Sequence, residues 1–162
     1  MRSMLIALGL AGAAVGVTSA IAQGENADRS QDIAWMSEQK AYPAMLKAED
    51  GWYTMDGGLR WRFVEYTGSD EKPSVEDTVT VHYAGTFLDG ETFDSSFERG
   101  EPATFPLGRL IEAWQMAIPE MGVGDTIEIV APADLAYGPK GKGPIPGGAT
   151  LLFTVKLIAI EE

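Results

Sequence analysis

The sequence predicts an α+β domain in which an antiparallel β-sheet wraps its apolar face around one short α-helix. Apolar and polar residues alternate, as in strands with one buried face, over residues 59–66, 78–83, 125–131 and 150–160. One helix is expected over 109–118, and Pro119 ends it because proline cannot continue a helix. With so little helix available, the sheet must supply most of the core.

The predicted strands are separated by residues that favour turns. The first strand follows Gly57 and Gly58, and the second follows a stretch rich in Gly, Ser and Pro. In the last strand, Phe153 and Val155 alternate with polar neighbours, which identifies its inner face. The run 138–148 is a Gly- and Pro-rich loop. It is not a phosphate-binding loop, because it leads into a strand and no Ser or Thr follows its lysines.

The first 22 residues have the features of a cleavable signal peptide. Arg2 precedes an apolar run rich in Gly and Ala, and residues 20–22 have the small-x-small pattern of a cleavage site. We therefore expect an exported protein whose mature chain begins at Gln23, periplasmic in a two-membrane bacterium and secreted otherwise. The alternative is a membrane anchor, since the run approaches the roughly 20 residues that span a bilayer. After cleavage, no stable membrane insertion is expected.

Residues 23–58 form a polar, acidic leader that carries scattered aromatic side chains. The pattern allows one short amphipathic helix over 32–46, which Pro43 would end or bend. We interpret this segment as a partly ordered leader that packs on the domain formed by residues 59–162.

Composition excludes several functional classes. A chain of 162 residues, 45% of them hydrophobic, is long enough for one compact domain with a sizeable core. The absence of Cys excludes disulfides, thiol redox chemistry and Cys nucleophiles. The formal charge is −12, and without Arg2 the 11 basic and 24 acidic residues give 11 − 24 = −13. Such a surface repels nucleic acid and anionic lipid, so neither is an expected partner.

Conventional active-site chemistry finds little support in the sequence. His82 is the only histidine, lies within a predicted strand and has no second His or Cys to complete a metal site, so we interpret it as structural. A Ser-His-Asp hydrolase is not indicated because the Gly-x-Ser-x-Gly pattern is absent, and Ser95 and Ser96 are typical of a turn. Carboxylates are too numerous for any pair to be singled out as a glycosidase site, or for that class to be excluded.

Several short motifs occur in order along the second part of the chain. They are Val81-His82-Tyr83-x-Gly85, Asp89-Gly90-x-x-Phe93-Asp94-Ser95-Ser96, Phe105-x-Leu107-Gly108, Met121-x-Val123-Gly124, Leu135-Ala136-Tyr137-Gly138 and Ile145-Pro146-x-x-Ala149-Thr150-Leu151-x-Phe153. In order and spacing, these motifs resemble the FKBP-type peptidyl-prolyl cis-trans isomerases. The resemblance covers residues 58–162, about two thirds of the chain. It implies a curved antiparallel sheet around a short helix and an apolar cup that receives a proline ring.

The resemblance also implies roles for individual residues. Tyr137 is expected to hold the substrate backbone through its hydroxyl, and Asp94 to lie near the reacting carbonyl with Arg99 as its cation partner. Trp114 is expected to form the floor of the cup. The remaining substrate-binding positions implied by the resemblance are Tyr83, Phe93, Phe105, Leu110, Ile111, Ile145 and Phe153. No cofactor and no metal are implied.

The function that the resemblance implies is isomerisation of X-Pro bonds in unfolded or partly folded exported polypeptides. Macrolide inhibitors are possible further ligands, although Ala103, Ala113 and the His-free loop after Tyr137 depart from the common family pattern. Two alternatives remain open on the same fold. One is a non-catalytic binding module, and the other is a folding chaperone whose leader, residues 23–58, holds unfolded clients.

Overall fold

The computed structural model describes Arg29 and residues 32–161, so the predicted signal peptide lies outside the described residues. The described part of the chain contains three α-helices: α1 (Ile33–Met45), α2 (Ser96–Arg99) and α3 (Glu112–Ala117). The seven strands are β1 (Tyr53–Thr54), β2 (Arg60–Glu65), β3 (Thr78–Thr86), β4 (Thr92–Ser95), β5 (Ala103–Pro106), β6 (Thr126–Ala131) and β7 (Leu151–Glu161). Among the described residues, no helix is long and apolar enough to span a membrane.

All seven strands join one open antiparallel sheet, which confirms the α+β prediction. The strand order is β1-β2-β6-β7-β3-β4. β4 pairs with residues 84–86 of β3, and β5 pairs with residues 78–81 of the same strand. The long central strand β3 pairs with residues 152–161 of β7, for example Tyr83 with Val155 and Gly85 with Phe153. The four stretches with alternating residues became β2, β3, β6 and β7, whereas β1, β4 and β5 were not predicted.

The core lies between the inner face of the sheet and α3. Alternate residues of β3 and β7 are buried, as the period of two requires, including Val79, Val81, Val155 and Leu157. Fully burying one such side chain contributes about 1.5 to 3 kcal/mol. Because α3 is short, the two longest strands contribute many of the buried apolar side chains.

The helix expected over 109–118 begins later than predicted. Residues 107–109 form a 3₁₀ turn, and Leu110 and Ile111 are extended before α3 begins at Glu112. Pro119 lies inside a second 3₁₀ turn, Ile118–Glu120, which continues from α3. Leu110 and Ile111, whose apolar side chains suggested a longer helix, are therefore partly buried although their backbone is extended.

The buried Asp125 joins the loop before β6 to the segment after β2. Its carboxylate accepts hydrogen bonds from Thr67 N at 2.6 Å, Thr67 Oγ1 at 2.7 Å and Gly122 N at 2.8 Å. Burial alone would raise the pKa of Asp125, but these donors stabilise the ionised form and the net effect is a lowered pKa.

Helix α1 packs against the chain just before β7. Its N-terminus is capped by Asp32, whose Oδ1 accepts from Trp35 N at 2.9 Å. Gln39 is buried, and its Oε1 accepts from Thr150 N at 2.9 Å. Pro43 lies inside the last turn of the helix, which continues for two more residues and ends at Met45.

Thr150 compensates for the proline in α1. Pro43 has no N–H, so the carbonyl of Gln39, four residues earlier, lacks its helical donor. The hydroxyl of Thr150 donates to that carbonyl at 2.7 Å. The same side chain thus satisfies a helical carbonyl and anchors α1 to the start of β7.

Candidate active site

An apolar cup of about 180 Å³ opens on the inner side of the sheet. Its walls come from β3, β4, β5, β7, α3 and the segment leading into it, and the loop after β6. Nine residues line it: Tyr83, Phe93, Asp94, Phe105, Leu110, Ile111, Trp114, Tyr137 and Phe153. The volume is below the roughly 300 Å³ of pockets for drug-sized molecules, so the cup suits a single small ring.

Trp114 holds a central position among the aromatic residues of the cup. The indole is 4% exposed and contacts Tyr83 and Phe153 edge to face, with ring centroids 5.3 and 5.4 Å apart. Phe105 approaches the same indole at 6.5 Å. Such edge-to-face pairs are favourable beyond their buried area, so the surrounding rings fix the orientation of the indole. Its Nε1 is buried and has no hydrogen-bond partner among the described residues.

Gly85 makes room for the opposite wall. A Cβ at this position would lie 2.4 Å from Phe93 Cζ and 3.0 Å from Phe153 Cε1. These two rings meet edge to face at 5.8 Å, and Phe93 also contacts Phe87 at 5.0 Å. The missing side chain therefore allows Phe93 to lie over β3 and line the cup.

Three polar side chains meet at the edge of the cup. The hydroxyl of Tyr83 donates to Asp94 Oδ2, and Arg99 Nη1 donates to Asp94 Oδ1. Arg99 Nη2 also donates to the Tyr83 hydroxyl at 3.1 Å. The carboxylate and the guanidinium are both nearly half exposed, so solvent weakens their ion pair. The arrangement nevertheless places one carboxylate beside the aromatic lining.

The tyrosines of the cup are held in their neutral form. Burial raises the pKa of Tyr83, and its hydrogen bond to Asp94 raises that pKa further. Burial also raises the pKa of Tyr137, with a smaller effect from the charge of Asp94. Both phenols are therefore hydrogen-bond donors at neutral pH. The Tyr137 hydroxyl forms no hydrogen bond with a described residue, which leaves it available to a bound peptide.

Tyr137 is positioned by a tight turn after β6. Gly138 N donates to Ala133 O at 2.8 Å, and Gly138 adopts a positive φ of 64° that favours glycine. Gly148 N in turn donates to Gly138 O at 2.9 Å, which ties the end of the long loop to its start. The loop predicted over 138–148 is thus closed on itself beside Tyr137.

His82 and the two serines lie outside the cup. His82 Nδ1 is 3.0 Å from Ser96 Oγ, and its ring stacks on Phe97 at 4.8 Å. Ser96 Oγ accepts from Tyr83 N at 2.7 Å, while Ser95 caps α2 by accepting from Glu98 N at 3.3 Å. These contacts support a structural role for all three, and the Ser96 hydroxyl holds the strand that carries Tyr83.

Nine of the eleven site residues expected from the sequence line the cup, and Arg99 and Ile145 do not. Arg99 reaches its edge through Asp94 and Tyr83. Ile145 is buried in the core. Its backbone forms an isolated antiparallel β-bridge with Lys142, in which each N–H donates to the other residue's carbonyl at 2.9 Å. Sequence reasoning missed the steric role of Gly85, whose signal was only its place in a motif. Among the described residues, no three His, Cys, Asp or Glu side chains are grouped as metal ligands.

The arrangement suits non-covalent chemistry on a compact apolar ring. The walls are largely aromatic, and two neutral phenols and one paired carboxylate supply polar contacts. Among the described residues, no Ser, Thr, Lys or His lines the cup. Binding here would remove a peptide bond from water while orienting its carbonyl, which is the environment that changes the barrier to amide rotation.

Comparison with known proteins agrees with this geometry. The family model described as FKBP-type peptidyl-prolyl cis-trans isomerase matches residues 69–158. The chain is 45% identical over 121 residues to the FKBP-type peptidyl-prolyl cis-trans isomerase FkpA of Aeromonas hydrophila, covering 75% of this chain and 45% of that protein. It is 40% identical over 123 residues to the outer membrane protein MIP of Legionella longbeachae, covering 75% of this chain and 52% of that protein.

A solved structure shows the same fold. The crystal structure of FkpA from Escherichia coli superposes with a TM-score of 0.76 at 37% identity, covering 82% of this chain and 62% of that chain. The chain spans about half the length of the two curated relatives it matches. Since the family model covers more than half of its residues, the chain belongs to the FKBP-type peptidyl-prolyl cis-trans isomerase family.

Proposed function

We propose that this chain catalyses cis-trans isomerisation of X-Pro bonds in unfolded or partly folded exported polypeptides, without a cofactor. The observation that carries the proposal is the cup itself. Its aromatic walls enclose about 180 Å³ beside one carboxylate and two neutral phenols. A proline ring is a compact apolar group that can enter such a space, while the adjoining peptide carbonyl remains at the polar edge.

The energy required is modest for such a site. Rotation about the X-Pro bond faces a barrier of roughly 18 to 20 kcal/mol, because amide resonance is lost in the twisted state. Uncatalysed exchange takes tens to hundreds of seconds. Reaching about 10 to 1,000 turnovers per second therefore needs roughly 4 to 7 kcal/mol of transition-state stabilisation.

The cup supplies part of that energy by desolvation. A planar amide is more dipolar than a twisted one, so its loss of hydration in an apolar cup is greater and the barrier falls. The rest must come from contacts that favour the twisted geometry, since equal binding of both forms accelerates nothing. We assign backbone anchoring to the hydroxyl of Tyr137 and interaction with the rotated carbonyl to Asp94, which Tyr83 and Arg99 orient.

Removing these polar groups one at a time tests the assignment. Asp94→Ala and Tyr137→Phe should each lower kcat/KM on a Leu-Pro peptide by about tenfold or more, the effect of one hydrogen bond of roughly 1.4 kcal/mol. Asp89→Ala and Tyr66→Phe are matched controls at exposed positions and should leave the rate unchanged. Full rates in both folded test variants would show that the roles are assigned wrongly.

We propose further that residues 23–58 are a leader and residues 59–162 the isomerase domain. The leader contributes β1, in which Tyr53 and Thr54 pair with Trp61 and Arg60 of β2. Cleavage after residue 22 and export are supported by the basic-apolar-small pattern of the first residues. The name of the Legionella longbeachae relative places that protein in the outer membrane. The substrates would then be exported polypeptides, and macrolide inhibitors are possible ligands of the same cup.

A second candidate function is chaperone-like binding of unfolded clients. Tyr53 and Tyr66 are 54% and 66% exposed and extend a row of rings through Trp61 and Phe63. Exposed aromatic surface of this kind can bind apolar segments. Replacing Tyr53 and Tyr66 by Ser should then weaken suppression of aggregation while leaving peptide isomerisation unchanged. Unchanged suppression would leave isomerisation as the sole proposed activity.

A further inference from the structure

A second cavity, of about 400 Å³, lies between α1, the start of β2 and the loop that carries Tyr137. It shares no lining residue with the cup, although Asp134 and Pro139, which flank Tyr137 in sequence, form part of its wall. Its volume lies in the range of pockets that hold small organic ligands. We call it the Arg60 cavity, after a charged residue in its wall.

Arg60 has no counter-ion in the part of the chain that the structure describes. Its Nε and Nη1 are buried, and neither has a hydrogen-bond partner among residues 29 and 32–161. Arg62, two residues further along the same face of β2, does have an acidic partner. Its Nε donates to Glu128 Oε2 at 2.6 Å. Shielding a guanidinium from water without a partner is unfavourable, so an anion arriving beside Arg60 would relieve that penalty.

The other charges around the cavity favour a single negative charge. Lys40 of α1 and Asp134 also line it, so with Arg60 the local sum is +1. The chain as a whole carries −12 and repels anions at long range. That repulsion is screened beyond about 8 Å at physiological salt, whereas a contact with Arg60 is not. A monoanion therefore matches the cavity better than a phosphate dianion.

The remaining walls of the Arg60 cavity are largely apolar. They include Met36, Pro43, Ala44, Pro132, Ala133 and Pro139. A ligand that fits must therefore carry its charge at one end of a compact apolar body. The planar guanidinium can donate two parallel hydrogen bonds to a carboxylate, the monoanion of this geometry that a small organic group most commonly carries.

We propose that the Arg60 cavity binds a carboxylate carried on a small apolar group. A carboxylate of this kind occurs both at the C-terminus of a polypeptide and in a free organic acid. Two probes distinguish these sources: N-acetyl-Leu-Ala, which ends in a free carboxylate, and hexanoate. The C-terminal amide of N-acetyl-Leu-Ala is the neutral match for the first probe.

The experiment is an NMR titration of the full ¹⁵N-labelled chain with each probe. The carboxylate probes should cause saturable shifts at the amides of Gly147, Gly148 and Thr150, which line the cavity, and the neutral amide should not. The indole N–H of Trp114 reports on the cup and should remain unshifted. A response to the dipeptide alone identifies a polypeptide C-terminus, and a response to hexanoate extends the site to free acids.

Two arginine variants complete the test. Arg60→Gln should weaken binding of the carboxylate probe by about tenfold or more, the loss of one charge-assisted pair. Arg62→Gln removes an arginine that already has a partner and should leave the affinity unchanged. Equal binding of the acid and its amide, shifts confined to Trp114, or equal losses in the two variants would overturn the proposal. The comparison of acid with amide decides the matter even if Arg60→Gln does not fold.

Discussion

The attachment of α1 depends on a hydrogen bond from outside the helix, and Thr150→Val tests it directly. Pro43 cannot donate to the Gln39 carbonyl, and Thr150 Oγ1 donates instead at 2.7 Å. Valine keeps the shape and the β-branch of threonine and removes only the hydroxyl. The second bond, from Thr150 N to Gln39 Oε1 at 2.9 Å, uses the backbone N–H of residue 150 and survives the substitution.

The expected loss can be worked from these contacts. An acceptor left unsatisfied in a buried site reduces stability by about 1 to 3 kcal/mol. Because one of the two bonds between Gln39 and Thr150 remains, we expect the free energy of unfolding to fall by about 1 to 2 kcal/mol in urea denaturation. Thr80→Val is the matched control, since the Thr80 hydroxyl pairs with Thr104 at an exposed site, and it should change stability by less than about 0.5 kcal/mol.

A double-mutant cycle isolates the compensation between Thr150 and Pro43. Pro43→Ala restores an N–H that can donate to Gln39 O within the helix. In that background, Thr150→Val should reduce the free energy of unfolding by about 1 kcal/mol less than in the unaltered chain. Additive effects of the two substitutions would refute the reasoning, because they would mean that Thr150 does not replace the donor that Pro43 lacks.

Three further predictions follow from the fold and the cup. Gly85→Ala should displace Phe93, lower stability by about 1 to 3 kcal/mol and reduce kcat/KM on a Leu-Pro peptide; an unchanged kcat/KM would contradict the role of Gly85. Asp125→Asn should lower stability at pH 7 by about 1 to 3 kcal/mol. Its lowered pKa means that the carboxylate stabilises the fold above its unfolded pKa of about 3.9, and this stability is lost as pH falls through the folded pKa. Acid unfolding curves should therefore converge for Asp125→Asn and the unaltered chain, and parallel curves would count against this role. Because the pKa values of Tyr83 and Tyr137 lie above their ordinary 10.0, the isomerisation rate should be flat from about pH 6 to pH 9, and a fall near neutral pH would exclude neutral phenols as the donors.

The long strands could be predicted from the sequence, and the short ones could not. In β3 and β7, alternation persists over many residues, and burial follows it. β4 and β5 have four residues each, and β1 only two, so each offers at most two inward side chains. Too few residues alternate in them to distinguish a strand from a turn.

The position of α1 on the domain is set by long-range contacts, which the local pattern of apolar and polar residues does not reveal. A helix over 32–46 could be predicted, and Ile33–Met45 is helical. Its seat against Thr150, however, depends on bonds between residues 111 positions apart. The same holds for the Arg60 cavity, which exists only because α1 lies beside β2 and the Tyr137 loop.

The residues of the candidate site could be predicted from short motifs spread along the chain, but their arrangement in space could be seen only in the folded structure. Each motif contributes one or two side chains to the cup, for example Tyr83 from β3 and Phe153 from β7. The space that Gly85 leaves for Phe93 depends on how closely β3 and β4 approach, since a Cβ at Gly85 would lie 2.4 Å from Phe93 Cζ, well inside van der Waals contact. Ile145, expected in the lining, instead packs in the core because its loop folds back on itself.

Two tryptophan variants test most directly whether the aromatic cup accelerates proline isomerisation. Trp114 and Trp61 are both buried, with Nε1 unpaired among the described residues, but only Trp114 lines the cup. The measurement is the exchange rate of a Leu-Pro peptide by NMR with folded Trp114→Leu and Trp61→Leu proteins. We predict that Trp114→Leu lowers kcat/KM at least about tenfold, or roughly 1.4 kcal/mol, while Trp61→Leu retains it. Equal rates in the two variants, or no acceleration by the unaltered protein, would contradict the claim.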